Sequence, residues 1–146
     1  MLKKSVIFMV GLALVLSLVN VGMAQDMNPK VKEMLASARA AIKTVPPEVV
    51  KAAIDSKENV IILDVRDGGE FSAGHLPGAM NISRGTLEFV VFGKIPDQNA
   101  KIYAYCKTGA RCAFAAKTLN DLGYKNAVSM DATYADWVKA GYPVER

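Results

Sequence analysis

The chain has 146 residues, with 18 basic and 14 acidic side chains, one histidine and two cysteines. That length supports one domain. The net charge of +4, or +2 without Lys3 and Lys4, is too small and too evenly spread for a nucleic-acid surface. One histidine and two cysteines on a tight loop do not supply a tetrahedral metal shell.

The first stretch reads as a leader. Lys3 and Lys4 precede an apolar run from Val6 to Val19, broken only by Gly11 and Ser17, and Gly22 and Ala24 are small residues two apart. This pattern predicts a secretory signal peptide over residues 1–24, cut after Ala24. The protein is then exported, and periplasmic in a Gram-negative source. An uncleaved anchor stays open, because Ser5 to Ala24 is barely long enough to span a bilayer. In that case the leader would be the only contact with a membrane.

Residues 25–44 predict an amphipathic helix. Asn28 can cap it, Pro29 suits its first position, and Val31, Met34, Leu35, Ala38 and Ile42 form one apolar stripe. The stripe is expected to pack on the domain over residues 45–146, since it lacks the aromatics of a membrane-surface helix. Val45-Pro46-Pro47 breaks this helix and starts another, Glu48 to Ile54.

Asn59 to Val65 is a run rich in β-branched residues, the mark of a strand buried on both faces. A short helix around Gly69 to Ala73, a turn from Gly74 to Ala79, a brief strand at Asn81-Ile82 and a helix from Arg84 to Phe92 follow. In that last helix Leu87, Val90 and Val91 can face the core. Phe89 and Phe92 fit less easily, and lining an active-site mouth is one use for them. A strand at Ile102 to Tyr105, a helix ending at Gly123, a strand from Asn126 to Met130 and a helix from Thr133 to Ala140 complete the chain. Strands alternating with helices through short loops predict an α/β domain: a parallel sheet of about five strands, covered by helices on both faces. Sites in such folds form at the C-terminal ends of strands, where both Cys106 and the Asp64-Arg66 pair fall.

Cys106 is the candidate nucleophile. It ends a strand and precedes Lys107-Thr108-Gly109-Ala110-Arg111, a loop that runs into a helix N-terminus. Unpaired N–H groups and the helix dipole favour a thiolate there. Lys107 and Arg111 add positive charge. Asp64 and Arg66 read mainly as a structural pair, with a substrate contact by Arg66 as the minor alternative. His75, in a Gly/Pro turn, reads as structural, and Trp137 with Tyr134 as core.

Three stretches together resemble a single-domain rhodanese: LDVRDGGEFSAGHLPGAMNI from Leu63 to Ile82, YCKTGARC from Tyr105 to Cys112, and LGYKNAVSM-DATYADW-VKAGYPV from Leu122 to Val144. The resemblance spans about residues 45–145. It implies a rhodanese-like fold and a sulfurtransferase that works through a persulfide on Cys106, with no cofactor. Sulfane sulfur would come from a small anionic donor such as thiosulfate and pass to cyanide or a thiol. The loop N–H groups from Lys107 through Thr108, Gly109 and Ala110 to Arg111 would cradle the donor. Only four residues separate Cys106 from Arg111, one fewer than in the phosphatases that share this fold, and the tighter loop suits a sulfur atom. Ala132-Thr133 stands where family members often carry a Gly-Gly pair. Cys112 takes the place of a usual Ser or Thr, which opens a redox partnership with Cys106 beside the plain reading of a small helix-face residue. The rival to catalysis is a persulfide carrier that hands sulfur to a protein partner, and a thiol redox protein using Cys106 and Cys112 is a further alternative.

Overall fold

A computed structural model describes residues 27–146, so the expected leader lies outside the described residues. Five strands, β1 (Thr44–Val45), β2 (Ile61–Asp64), β3 (Met80–Asn81), β4 (Ile102–Tyr105) and β5 (Ala127–Met130), form one sheet in the order β1-β5-β4-β2-β3. Every neighbouring pair is parallel. Six helices, α1 (Pro29–Ala40), α2 (Pro47–Asp55), α3 (Gly68–Ala73), α4 (Leu87–Lys94), α5 (Ala110–Asp121) and α6 (Tyr134–Lys139), connect and cover the strands.

The expected α/β architecture is present, with two local corrections. The first helix ends at Ala40 rather than Thr44, and the next residues turn back to make β1 at the sheet edge. There the Ser129 and Asp131 N–H groups donate to the Lys43 and Val45 carbonyls at 3.1 and 2.7 Å. A two-residue strand cut short by Pro46-Pro47 carries no periodicity to read. The Arg84 to Phe92 stretch opens as a 3-10 turn over Arg84–Thr86 and becomes α-helical only from Leu87.

Alternation along the strands assigns side chains to two cores. Leu63, Val65, Ile102, Ala104 and Ala127 meet α4 and α5 through Leu87, Val91, Ala115 and Leu119. Ile62, Tyr103, Tyr105 and Met130 meet α2 and α6 through Val50, Ala53 and Trp137. Cys106 follows the parity of Ile102 and Ala104, so its sulfur falls on the α5 side. Helix α1 lies against α5 and buries Leu35 and Ala38 of its expected stripe. Asn28 caps it, its side-chain oxygen accepting from the Lys30 N–H at 2.9 Å.

The strand ends are tied by a buried charge cluster. Asp64 accepts from the Arg66 Nε at 3.0 Å, the Arg66 Nη2 at 2.6 Å and the Tyr105 hydroxyl at 2.6 Å. Arg66 also donates to the Gly74 carbonyl at 2.7 Å, and its guanidinium lies 4.0 Å from the centre of the Tyr134 ring. Burial works against the Arg66 charge, but the hydrogen bonds and charge of Asp64 outweigh it and raise the guanidinium pKa. The same cluster, burial first and then Asp64, raises the Tyr105 hydroxyl pKa and keeps it a donor. Asp64→Asn would leave Arg66 buried without a counter-charge, which costs about 3–5 kcal/mol for a pair of this kind. Chemical denaturation should therefore show a large loss of stability in this variant, and a midpoint equal to wild type would contradict the assignment.

Candidate active site

The site begins where β4 ends. Cys106 is wholly buried. The chain then turns through Gly109, whose φ of 82° lies in the left-handed region that a side chain disfavours, and enters α5. No side chain caps α5. Its place is taken by the Cys106 sulfur, which accepts from the Gly109 N–H at 3.1 Å and the Cys112 N–H at 3.4 Å. The first N–H groups of a helix need such a partner, and the positive end of the helix dipole favours an anion there.

Cys112 reinforces this. Its sulfur lies 3.4 Å from the Cys106 sulfur and 3.4 Å from the Gly109 carbonyl oxygen, and both thiols are free. Hydrogen bonding from the Cys112 side chain lowers the Cys106 pKa. Burial opposes this, but the N–H groups of Cys112, Thr108 and Gly109 add to the lowering, and the result is about 6. Cys112 moves the other way: its bond to Cys106, its burial and the neighbouring negative charge all hold its proton in place. The Ser129 side chain, on the adjacent strand β5, works against this rise. The pair is therefore a thiolate at Cys106 beside a thiol at Cys112.

The expected cations fall in different settings. Arg111 is committed to Glu70 by paired bonds of 2.7 and 3.0 Å, with Asp67 at 3.8 Å. Hydrogen bonds from Arg111 hold the Glu70 carboxyl well below the usual carboxylate range. Arg66 is enclosed in the cluster with Asp64 and is 3% exposed. Lys107 is exposed and makes no ion pair among the described residues. Thr108 is exposed too, while Gly109 and Ala110 are half-buried.

Sequence reasoning missed two members of the site. Arg39, on α1, reaches the loop: a Cβ on Gly109 would lie 3.7 Å from its guanidinium. Arg39, Thr108, Gly109, Ser129 and Thr133 line a cleft of about 370 Å³ beside the loop, which Cys106 itself does not line. Glu70 was the other. It lies in the short helix read around Gly69 to Ala73, but its partner Arg111 is 41 residues away. Thr133, where a Gly-Gly pair was the family expectation, caps α6 by accepting the Asp136 N–H at 3.1 Å.

The remaining assignments concern structure. His75 stacks on Phe71 with ring centres 3.8 Å apart and bonds the Phe71 carbonyl oxygen through Nδ1 at 3.0 Å. Trp137 is buried and donates to the Pro143 carbonyl at 2.9 Å. Phe92 rests against Tyr124 at 5.7 Å, and Phe89 is 87% exposed, so neither is among the cleft residues.

A nucleophilic cysteine whose sulfur caps a helix, at the carboxyl end of a central parallel strand, defines the class of cysteine-loop α/β domains. The chain belongs to the rhodanese-like domain family, which matches residues 46–140. It is 32% identical over 98 residues to a candidate sulfur carrier protein of Bacillus subtilis, YrkF, covering 67% of this chain and 52% of YrkF. It thus spans about half the length of that relative. It is 33% identical over 84 residues to the thiosulfate sulfurtransferase GlpE of Pseudoalteromonas translucida, covering 58% of this chain and 78% of GlpE. The RPA3614 protein of Rhodopseudomonas palustris, of unknown function and put forward as a candidate tyrosine phosphatase, superposes with a TM-score of 0.71. It shares 32% identity over 85% of this chain and 100% of its own.

Because Cys106 gains its charge near pH 6, its reaction with a small electrophile should rise through that pH. The rise should be complete before an ordinary thiol, with a pKa of about 8.5, has ionised. Cys112→Ala removes the largest lowering influence, so the thiolate ultraviolet absorbance of the remaining cysteine should titrate at higher pH. An unmoved titration would assign the effect to the backbone N–H groups alone.

Proposed function

We propose that this domain is a sulfurtransferase that carries sulfane sulfur as a persulfide on Cys106. The observation that carries the reading is the Cys106 sulfur set against the Gly109 and Cys112 N–H groups at the start of α5, with its pKa pulled down to about 6. A thiolate is the attacking species in sulfur exchange. The Cys106 thiolate attacks the outer sulfur of thiosulfate, the sulfur–sulfur bond breaks, and sulfite leaves with the bonding electrons. Cyanide or a thiol then attacks the outer sulfur of the persulfide and returns Cys106 to the thiolate. Loop N–H groups can follow the negative charge outward as it moves to the added sulfur. The similarity to GlpE supports thiosulfate as donor. The basic start and apolar run of residues 1–24 support a site of action outside the cytoplasm.

One observation favours a carrier as the second reading. Cys106 has no exposed surface, which suits a persulfide kept from water until a protein partner opens the loop. The similarity to the candidate carrier YrkF points the same way. Steady-state turnover with thiosulfate and cyanide separates the two: an enzyme turns over repeatedly, and a carrier accepts sulfur once.

Cys106→Ser should abolish sulfur transfer while circular dichroism and thermal unfolding remain those of a folded domain. Transfer retained in that variant would overturn the reading.

Charge yields a finer expectation. With Arg111 bound to Glu70, the cations left to attract an anionic donor are Lys107 and Arg39. Lys107→Ala and Arg39→Ala should each raise the KM for thiosulfate a few-fold with kcat nearly unchanged, and added salt should shrink the difference from wild type. Equal KM values at low salt would remove both residues from donor binding.

A further inference from the structure

Cys112 is a nucleophile that sulfur transfer to an external acceptor does not use. Its sulfur touches that of Cys106 at 3.4 Å, it is fully buried, and it belongs to the first turn of α5. We propose that Cys112 is a resolving thiol, which gives the site a second activity: release of the bound sulfur as hydrogen sulfide with closure of a Cys106–Cys112 disulfide. This rests on persulfide formation at Cys106.

The step balances without an outside oxidant. The Cys112 sulfur attacks the inner sulfur of the persulfide, which is the Cys106 sulfur it already touches. A bond forms between the two cysteine sulfurs, and the bond from Cys106 to the outer sulfur breaks. The outer sulfur takes the bonding pair and leaves as HS⁻ with the proton that Cys112 held. The sulfane sulfur is reduced and the two cysteines are oxidised. An external dithiol then reduces the disulfide, becomes a disulfide itself, and restores both thiols. Closing the bond requires the sulfurs to approach from 3.4 Å to about 2.05 Å.

The surroundings time the attack. In the resting site Cys112 keeps its proton because the Cys106 thiolate binds it. Sulfur uptake moves the negative charge from the Cys106 sulfur to the outer sulfur, one bond further away. The strongest influence holding the Cys112 proton is then weakened, while its burial is unchanged.

Contact also selects which sulfur is attacked. Attack on the outer sulfur would move the sulfur to Cys112 and leave no disulfide. Attack on the inner sulfur releases sulfide.

The test is a single turnover with the full chain. Reduced protein is exposed to thiosulfate, with inorganic polysulfide as a second donor, and freed of excess donor. Sulfide and intact mass are then followed without reductant. Wild type should release sulfide stoichiometrically and end two hydrogens lighter than the reduced protein, with peptide mapping joining Cys106 to Cys112. Cys112→Ser should hold a one-sulfur adduct on Cys106 and release sulfide only when a dithiol is added. A stable adduct on wild-type Cys106, an adduct on Cys112, or equal sulfide release from both proteins would overturn the proposal and leave the sulfurtransferase reading standing. Failure of both proteins to take up sulfur from either donor would overturn both. Mapping the wild-type disulfide decides the matter even if Cys112→Ser folds poorly.

Discussion

The structure around the site depends on one substitution of roles: the sulfur of Cys106 acts as the cap of α5. A helix start leaves N–H groups without partners, and in soluble domains a Ser, Thr, Asp or Asn oxygen normally takes them. Here the residue before the helix is Gly109, which has no side chain to offer. The cap must come from elsewhere, and the strand end delivers it. Stability of the helix start and ionisation of the cysteine are then one interaction. A protonated Cys106 is a poorer acceptor and a poorer cap, so the fold itself favours the reactive form.

The carboxyl edge of the sheet is otherwise occupied with charge pairing. Asp64, Arg66 and Tyr105 lock the ends of β2 and β4, and Glu70 with Arg111 joins α3 to the first turn of α5. These pairs place two arginines close to the loop while spending their hydrogen-bonding capacity on carboxylates. An arginine at a strand end or in a reactive loop is easily taken for an anion contact. In the resting protein both arginines hold carboxylates, and the cations beside the loop without an ion pair among the described residues are Lys107 and Arg39, the latter on a helix that lies before the family match.

Much of this was legible in the sequence, for physical reasons that differ residue by residue. The apolar runs around Ile61 to Leu63 and Ile102 to Tyr105 read as buried strands, with Cys106 at the end of the second; that its sulfur falls on the α5 side came from the structure. The loop from Cys106 to Arg111 was legible because its chemistry is local: a cysteine, a glycine and a helix start in contiguous sequence. What stayed hidden is non-local. Glu70 meets Arg111, and Arg39 meets Gly109, only after the sheet has brought distant segments together. β1 was hidden for another reason: two residues at a sheet edge owe their conformation to pairing with β5 and almost nothing to their own propensity.

The same distances bear on what the loop can hold. A phosphatase loop must turn its N–H groups and its arginine toward a phosphoryl group beyond the sulfur, because the charge to be stabilised develops there. In this chain the Gly109 and Cys112 N–H groups converge on the sulfur itself, and Arg111 is turned to Glu70 by a pair of hydrogen bonds. A single added sulfur asks for less. Its charge is delocalised along one bond and displaced by about one sulfur–sulfur bond length, roughly 2 Å, from where the N–H groups already point. With four residues between Cys106 and Arg111, the loop closes around an atom rather than around a tetrahedral group. Similarity to a candidate tyrosine phosphatase therefore reports the shared sheet and helices. The geometry of the loop argues for sulfur.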